Sequence, residues 1–310
     1  MKILVAGATG VIGRPLVRQL VAAGHEVFGT TRSENRSGEI TAVGGTPVVC
    51  DALDADSTLR AVTEATPEVV INQLTALPKE YNPKDPDFYT QNNLIRKVGG
   101  HNLVEAAKAA GVRRFITQSL SFMYRQEGTW VKTEDDPVED RAPGGFGDAY
   151  RAMIGHEREV LDAEEFEGLS LRYGFLYGPD TWYASDGTTG IEVNKRKFPV
   201  VGAGTGTFSF THPEDAASAA VCAVENGTSG IYNVVDDEPA ALKDWLPVYA
   251  KALGAKPPRH VPLWLAKLVA GKATAISAVE MRGASNVKAK KELGWQPKYP
   301  SWRQGFAETI

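Results

Sequence analysis

The stretch MKILVAGATGVIG at residues 1–13 constrains this chain more than any other. An apolar run, Ile3, Leu4 and Val5, meets three glycines, Gly7, Gly10 and Gly13, and a helical pattern then runs from Arg14 to Ala23. A buried parallel strand that turns sharply into a helix requires this order. Gly7 permits the turn, Gly10 lets the backbone approach a pyrophosphate, and Gly13 lets the helix pack closely on the strand. Phosphates held there would sit on unpaired N–H groups at the positive end of the helix dipole. Thr9, Val11 and Ile12 complete the loop. The alternative, a glycine-rich turn in a nucleotide-free α/β domain, is weakened by the clear strand before the loop and the clear helix after it.

A chain of 310 residues can bury a large core. Its net charge of −4 offers no attraction for nucleic acid or an anionic membrane. No apolar run approaches the roughly 20 residues of a membrane span. The N-terminus reads as strand and glycine loop rather than signal peptide. Cys50 and Cys222 both lie in apolar stretches, as small core residues of a reducing compartment do. The scattered histidines form no Cys/His cluster, so no metal site is expected. A cytoplasmic location is the expectation.

Strand and helix patterns alternate through the first half, as a parallel sheet requires. Strands are predicted at 2–6, 26–30, 47–50, 68–73 and 113–118, and helices near 11–23, 54–65, 92–110 and 149–166. A strand at 169–178 follows, and then loops to about residue 211. Helices near 213–226, 241–254 and 262–271 come after, with a strand at 230–235. The fold class is α/β: a Rossmann-like, doubly wound parallel sheet with a smaller C-terminal substrate region. Residues 1–175 are expected to form the dinucleotide domain. Residues 176–310 are expected to form the substrate region, interleaved with the sheet because GIYNVVD reads as one more buried strand.

These landmarks together resemble the extended short-chain dehydrogenase/reductase superfamily of NAD(P)-dependent epimerase/dehydratase type. The resemblance spans the whole chain. It rests on GATGVIG, Asp51 after the third strand, NLVEAAKAAGVRRFITQS, LRYGFLYGP, FSFTHPEDAA, GIYNVVDDEP and ELGWQP, in that order. It implies a nicotinamide dinucleotide and a small-molecule substrate held between the sheet and the C-terminal region.

An NAD site places an acidic residue about 20 residues beyond the glycines, on the ribose 2′-hydroxyl. Here the second strand ends in Thr30, Thr31, Arg32 and Ser33, with no carboxylate at its tip. Arg32, helped by Thr31, Ser33 and Arg36, suits a 2′-phosphate through forked, charge-assisted bonds. NADP(H) is therefore expected in preference to NAD(H), against the alternative that Arg32 is only a solvated loop cation. The resemblance further implies that Asp51 meets the adenine amine, with Ala52 and Leu53 against the ring. It places Leu74, Thr75 and Ala76 along the ribose and pyrophosphate, and adds contacts from Gln118, Tyr173 and Phe175.

The catalytic pattern is incomplete. The family uses a Tyr, a Lys four residues later and a strand Ser or Thr. The Lys lowers the pKa of the Tyr, which exchanges a proton as hydride moves. Tyr150 stands at the Tyr position, at the expected opening of its helix, but Ile154 replaces the Lys. Leu120 occupies the hydroxyl position between Ser119 and Ser121, and alternation of faces is expected to let at most one of these serines reach the cofactor. Three readings stay open. Tyr150 acts without its Lys, with Ser119 or Ser121 orienting the substrate; or the proton comes from Tyr124, Lys132, His156 or the substrate; or the protein binds NADP(H) as a sensor without turnover.

In nucleotide-sugar members an Arg before the FTHPEDAA segment pairs with the substrate diphosphate; here Phe208 stands there. With Trp182, Tyr183, Phe198 and Phe210 nearby, a flat apolar or aromatic carbonyl or alcohol substrate is expected. The KRK run at 195–197 is the other candidate anchor. His212 and Asp215 are expected to order the next helix, and Trp245, Trp264, Trp295, Trp302 and Tyr299 to pack the C-terminal region, with a pocket role for Trp264 as the alternative. The resemblance also implies a homodimer built from the helices at 92–110 and 149–166, the first presenting Leu94, Val98, Leu103, Ala106 and Ala110.

Overall fold

Consecutive side chains of the first strand point into two different cores. Ile3 and Val5 pack with Leu16, Val17, Leu20, Ala216 and Ala220 on one face. Leu4 and Ala6 pack with Val62, Val70, Leu103, Val104 and Phe115 on the other. A strand apolar on both faces belongs inside a parallel sheet covered by helices on each side. In the computed structural model, which describes residues 1–80, 82, 85 and 87–310, that sheet has seven strands. In spatial order they are Gly230–Val234, Glu167–Tyr173, Arg114–Leu120, Val69–Asn72, Lys2–Ala6, Glu26–Thr31 and Thr46–Val49. All six pairings are parallel. The strand order reverses beside the first strand, the switch point at which such sheets bind ligands.

Several expected elements are redrawn. The helix expected at 92–110 runs as Thr90–Leu94, a π-helical turn Ile95–Gly99, and Gly100–Ala109. Its supposed single apolar face is divided: Leu103 and Ala106 are buried, whereas Leu94, Val98 and Ala110 are exposed. The helix expected from 149 begins at Gly144 and ends at Leu161, so Tyr150 lies inside it rather than at its opening. The strand expected at 169–178 ends at Tyr173, because Phe175–Leu176 turns away to pair with Phe210–Thr211. A helix at Lys272–Glu280 follows Leu263–Val269. Its lack of an amphipathic pattern hid it from the sequence. Trp264 is 65% exposed and packs no core, whereas Trp245, Trp295 and Trp302 are buried.

The long helix Gly144–Leu161 is fastened to the sheet by a buried ion pair. Glu157 accepts from Arg172 at 2.8 and 2.7 Å, and from Ser170 Oγ at 2.8 Å. At the start of Pro213–Glu225, His212 Nδ1 accepts the Glu214 N–H, as an N-cap should. Asp215 does different work from the expected ordering of the helix entry. Its carboxylate accepts the N–H groups of Lys298 and Tyr299, tying the C-terminal segment to this helix.

Burial lowers the His212 pKa to about 4, Glu214 opposing the shift and Lys298 adding to it. The native state therefore binds fewer protons than the unfolded chain, whose histidine titrates near 6.5. Its contribution to stability should be complete above pH 6.5 and be lost as pH falls toward 4, at up to about 1.4 kcal/mol per pH unit. Denaturant midpoints for the unaltered protein and for His212→Asn, which keeps a capping group, should converge across that window as pH falls. Parallel curves would exclude His212 as the source.

Candidate active site

The glycine loop is built for close approach. Gly7 has φ +84, and a Cβ there would lie 2.7 Å from the Gln73 carbonyl oxygen. A Cβ on Gly13 would lie 2.1 Å from the Gly7 oxygen, whereas one on Gly10 would meet only that oxygen, at 3.2 Å. Gly7 and Gly13 thus serve the chain's own packing, and Gly10 leaves its outer side open. No side chain caps the helix that starts at Gly13; the Arg14 and Leu16 N–H groups are spent on the Gly10 and Ile12 carbonyls, so the amides left for an anion are those of the loop at Val11–Gly13. This cradle fits the pyrophosphate of a dinucleotide.

At the tip of the second strand, Arg32 is exposed and its side chain pairs with nothing among the described residues. Thr31 is buried, its hydroxyl bonded to the Ser33 backbone. Arg36 ion-pairs with Glu39 and reaches over the loop to the Thr9 carbonyl at 3.1 Å. Asp51 is exposed, and its Oδ1 accepts the Leu53 N–H at 3.1 Å. Ala52 is buried, with its carbonyl accepting from Asn102.

The carboxyl ends of the central strands carry a belt of amides. Asn72 Oδ1 accepts the Leu74 N–H, and its Nδ2 meets His156 Nε2 at 2.9 Å. Gln118 donates to the Leu74 carbonyl, and Gln73 donates to Tyr173 Oη at 3.0 Å. Burial pushes the Tyr173 phenol up, so it stays protonated. Asn92 accepts the Ala76 N–H at 3.0 Å, and Thr75 between them is exposed. None of Asn72, Gln73 and Asn92 stood out in the sequence, because an amide at a strand end resembles any turn residue.

Around Tyr150 the surroundings are apolar. Its ring belongs to one cluster with Met123, Met153 and Ile154, against which Leu120 and Phe146 pack. Both off-pattern positions, Leu120 and Ile154, therefore contribute to the apolar cluster that holds Tyr150. The Tyr150 hydroxyl donates to the Phe122 carbonyl at 3.0 Å. Ser119 is fully buried, with an Oγ that has no partner. Ser121 is also buried. Residues two apart share a face of a strand, so alternation cannot separate these serines; what does is that the strand ends at Leu120.

The other proton-donor candidates are engaged elsewhere. Tyr124 donates to Asn233 at 2.8 Å beneath the Arg172 guanidinium, and burial pushes its pKa up to about 12. Lys132 is buried on Asp136 at 3.0 Å. His156 is held by Asn72. In the KRK run, Arg196 donates to the Pro257 carbonyl while Lys195 and Lys197 are exposed.

Phe175 begins an aromatic ladder rather than continuing the central sheet. It stacks on Phe122 at 4.3 Å between centroids and meets Phe208 at 5.0 Å. Phe208, Phe210 and Tyr183 are buried with Trp245, Tyr249 and Phe306, so most of these aromatics are core. Phe122, Phe175 and Trp182 remain partly buried, and Phe122 is the residue whose carbonyl holds Tyr150.

The model of the NAD dependent epimerase/dehydratase family matches residues 3–234. A Streptomyces protein described as a 3-diazoavenalumate denitrifying reductase is 46% identical over 307 residues, 99% of each chain. UDP-glucose 4-epimerase of Mycolicibacterium smegmatis is 27% identical over 325 residues, covering 100% of this chain and 97% of that one. Among solved structures, the Thermotoga maritima UDP-glucose 4-epimerase superposes with a TM-score of 0.78 at 21% identity, over 100% of this chain and 97% of that one. The human epimerase family protein SDR39U1, solved with NADPH, gives 0.75 at 19% identity, over 100% and 99%.

Proposed function

Because the chain belongs to the NAD-dependent epimerase/dehydratase family, we propose that it is an NADP(H)-dependent reductase of a small aromatic acceptor that needs no proton from a Tyr–Lys pair. One observation carries the reading: Leu120 and Ile154, at the positions of the family's hydroxyl and lysine, are both apolar and both belong to the cluster that holds Tyr150. Ile154 brings no cation to the position of the family's lysine, and this weakens Tyr150 as a proton relay. The acceptor that fits is an arenediazonium acid, a reading that takes its cue from the 3-diazoavenalumate named for the Streptomyces relative. When bound, the reduced cofactor supplies a hydride; the new C–H bond forms as the C–N bond breaks, dinitrogen leaves with that bonding pair, and no proton is exchanged.

The chain's own residues then have only to bind and orient. The glycine cradle and Arg32 hold the dinucleotide. Phe122 and Phe175, stacked on each other and tied to Tyr150 through the Phe122 carbonyl, offer a flat apolar wall to an arene. The missing cation at Phe208 speaks against a diphosphate-bearing sugar. A second reading, reduction of an aromatic carbonyl, is favoured by the position of the Tyr150 hydroxyl, which would give its proton to the new alkoxide while Ser119 or Ser121 orients the carbonyl. A homodimer formed through Thr90–Ala109 and Gly144–Leu161, in the cytoplasm, completes the proposal.

Three measurements test these statements. With an arenediazonium carboxylic acid, NADPH consumption should match dinitrogen release, and Tyr150→Phe should keep turnover within about threefold. A loss of about 10²-fold on a ketone, with none on the diazonium, would assign proton donation to Tyr150 and support the carbonyl reading. Tight NADPH binding without turnover of either would replace both with a sensor. Arg32→Glu should weaken NADPH by roughly 2 kcal/mol and leave NADH nearly unchanged; equal loss for both would remove Arg32 from the 2′-phosphate. Light scattering at micromolar concentration should give twice the chain mass, and a monomer mass would reject the helix-bundle dimer.

A further inference from the structure

Arg96 is a buried guanidinium with no ion-pair partner among the described residues. It lies in the π-helical turn Ile95–Gly99 and is 6% exposed. Its Nε has no partner, and its Nη1 meets the Met153 sulfur at 2.8 Å, a weak acceptor. The acid whose charge it feels, Glu157, is already filled by Arg172 and Ser170. Burial pulls its pKa down to about 10, which still leaves a cation at neutral pH. A buried charge left in this state is costly unless something absent from the free chain pairs with it.

Its neighbours say where that partner would come from. Four residues earlier, Asn92 holds the Ala76 N–H, on the chain leaving the strand Val69–Asn72. Four residues later, Gly100 packs so closely on His156 that a Cβ would lie 2.7 Å from its ring, and His156 is bonded to Asn72. Asn92 and Gly100 thus bracket Arg96 on the side of this helix that meets the carboxyl end of that strand, and Arg96 also lines a cavity with His101, Arg151, His156 and Glu159. On the other side it touches Met153, which lies between Tyr150 and Ile154 on their helix and in the same cluster. Ser119, with its unpartnered buried hydroxyl, points from the neighbouring strand toward this same helix, since it shares a face with Phe115, which contacts His156. π-helical turns recur at functional sites.

We propose that Arg96 binds the nicotinamide-side ribose of the dinucleotide, placing on the preceding helix the cation that Ile154 removes from the helix of Tyr150. A guanidinium presents parallel N–H donors that match two neighbouring hydroxyl oxygens. It holds its proton, so it is a binding group and not an acid. The inference rests on dinucleotide binding by the family and on neither substrate reading, so turnover has no part in its test.

Titration calorimetry compares NADPH with adenosine 2′,5′-bisphosphate, which carries the adenine ribose and 2′-phosphate but no second ribose. Arg96→Gln should lose about tenfold or more in NADPH affinity while binding the bisphosphate within twofold of the unaltered protein. Arg96→Lys, which keeps the charge without the fork, should fall between the two for NADPH. It carries the comparison by itself if the Gln protein does not fold. Unchanged NADPH affinity in the folded variants overturns the assignment. So does an equal loss for both ligands, which is what a structural role would give, or failure of the unaltered protein to bind NADPH.

Discussion

The buried pair Glu157–Arg172 holds the arrangement together. Both side chains are under 5% exposed, and their two hydrogen bonds join the long helix to the strand Glu167–Tyr173. Tyr150, Met153 and Ile154 lie within two turns of Glu157 on that helix, so their height above the sheet is set there. Breaking one partner of such a pair leaves an uncompensated charge, and this makes the register of the helix hard to change. The same saturation of Glu157 leaves Arg96 without an anion. One interaction therefore both positions the phenol and isolates the neighbouring cation.

The apolar cluster around Tyr150 has a consistent chemical sense. Proton exchange with a carbonyl oxygen needs a polar relay, and a relay needs water or charge close by. Leu120, Met123, Met153 and Ile154 supply neither a charge nor a hydroxyl of their own. Hydride delivery asks only that donor and acceptor be held in contact, with water kept out.

Legibility in the sequence followed the physics of each element. The sheet was readable because its central strands are buried on both faces and its first turn demands glycine. Ile154 was readable because a missing lysine is visible in one dimension. Arg96 was not, because nothing in NNLIRKVGG reveals that the arginine, rather than its neighbours, faces inward. The π turn alters the helical phase on which such a reading depends. Trp264 misled for the opposite reason: a large aromatic in an apolar run reads as core, yet its helix lies on the surface. Phe175 misled because the strand pattern continues past Tyr173 while the chain leaves the sheet to pair with Phe210–Thr211.

The π turn also carries an ancestry. One turn of i→i+5 bonding amounts to a single residue inserted into an α-helix, and it rotates everything on one side relative to the other by roughly 100°. Leu94 before the turn and Val98 within it thus fall outside the stripe that Leu103 and Ala106 bury after it. Restoring an ordinary helix by deleting one residue from 95–99 would swing Asn92 off the Ala76 amide while leaving Leu103 and Ala106 in place. The two halves of this helix can therefore drift under separate selection, the later half for packing against the sheet and the earlier half for whatever the mouth of the cleft must hold.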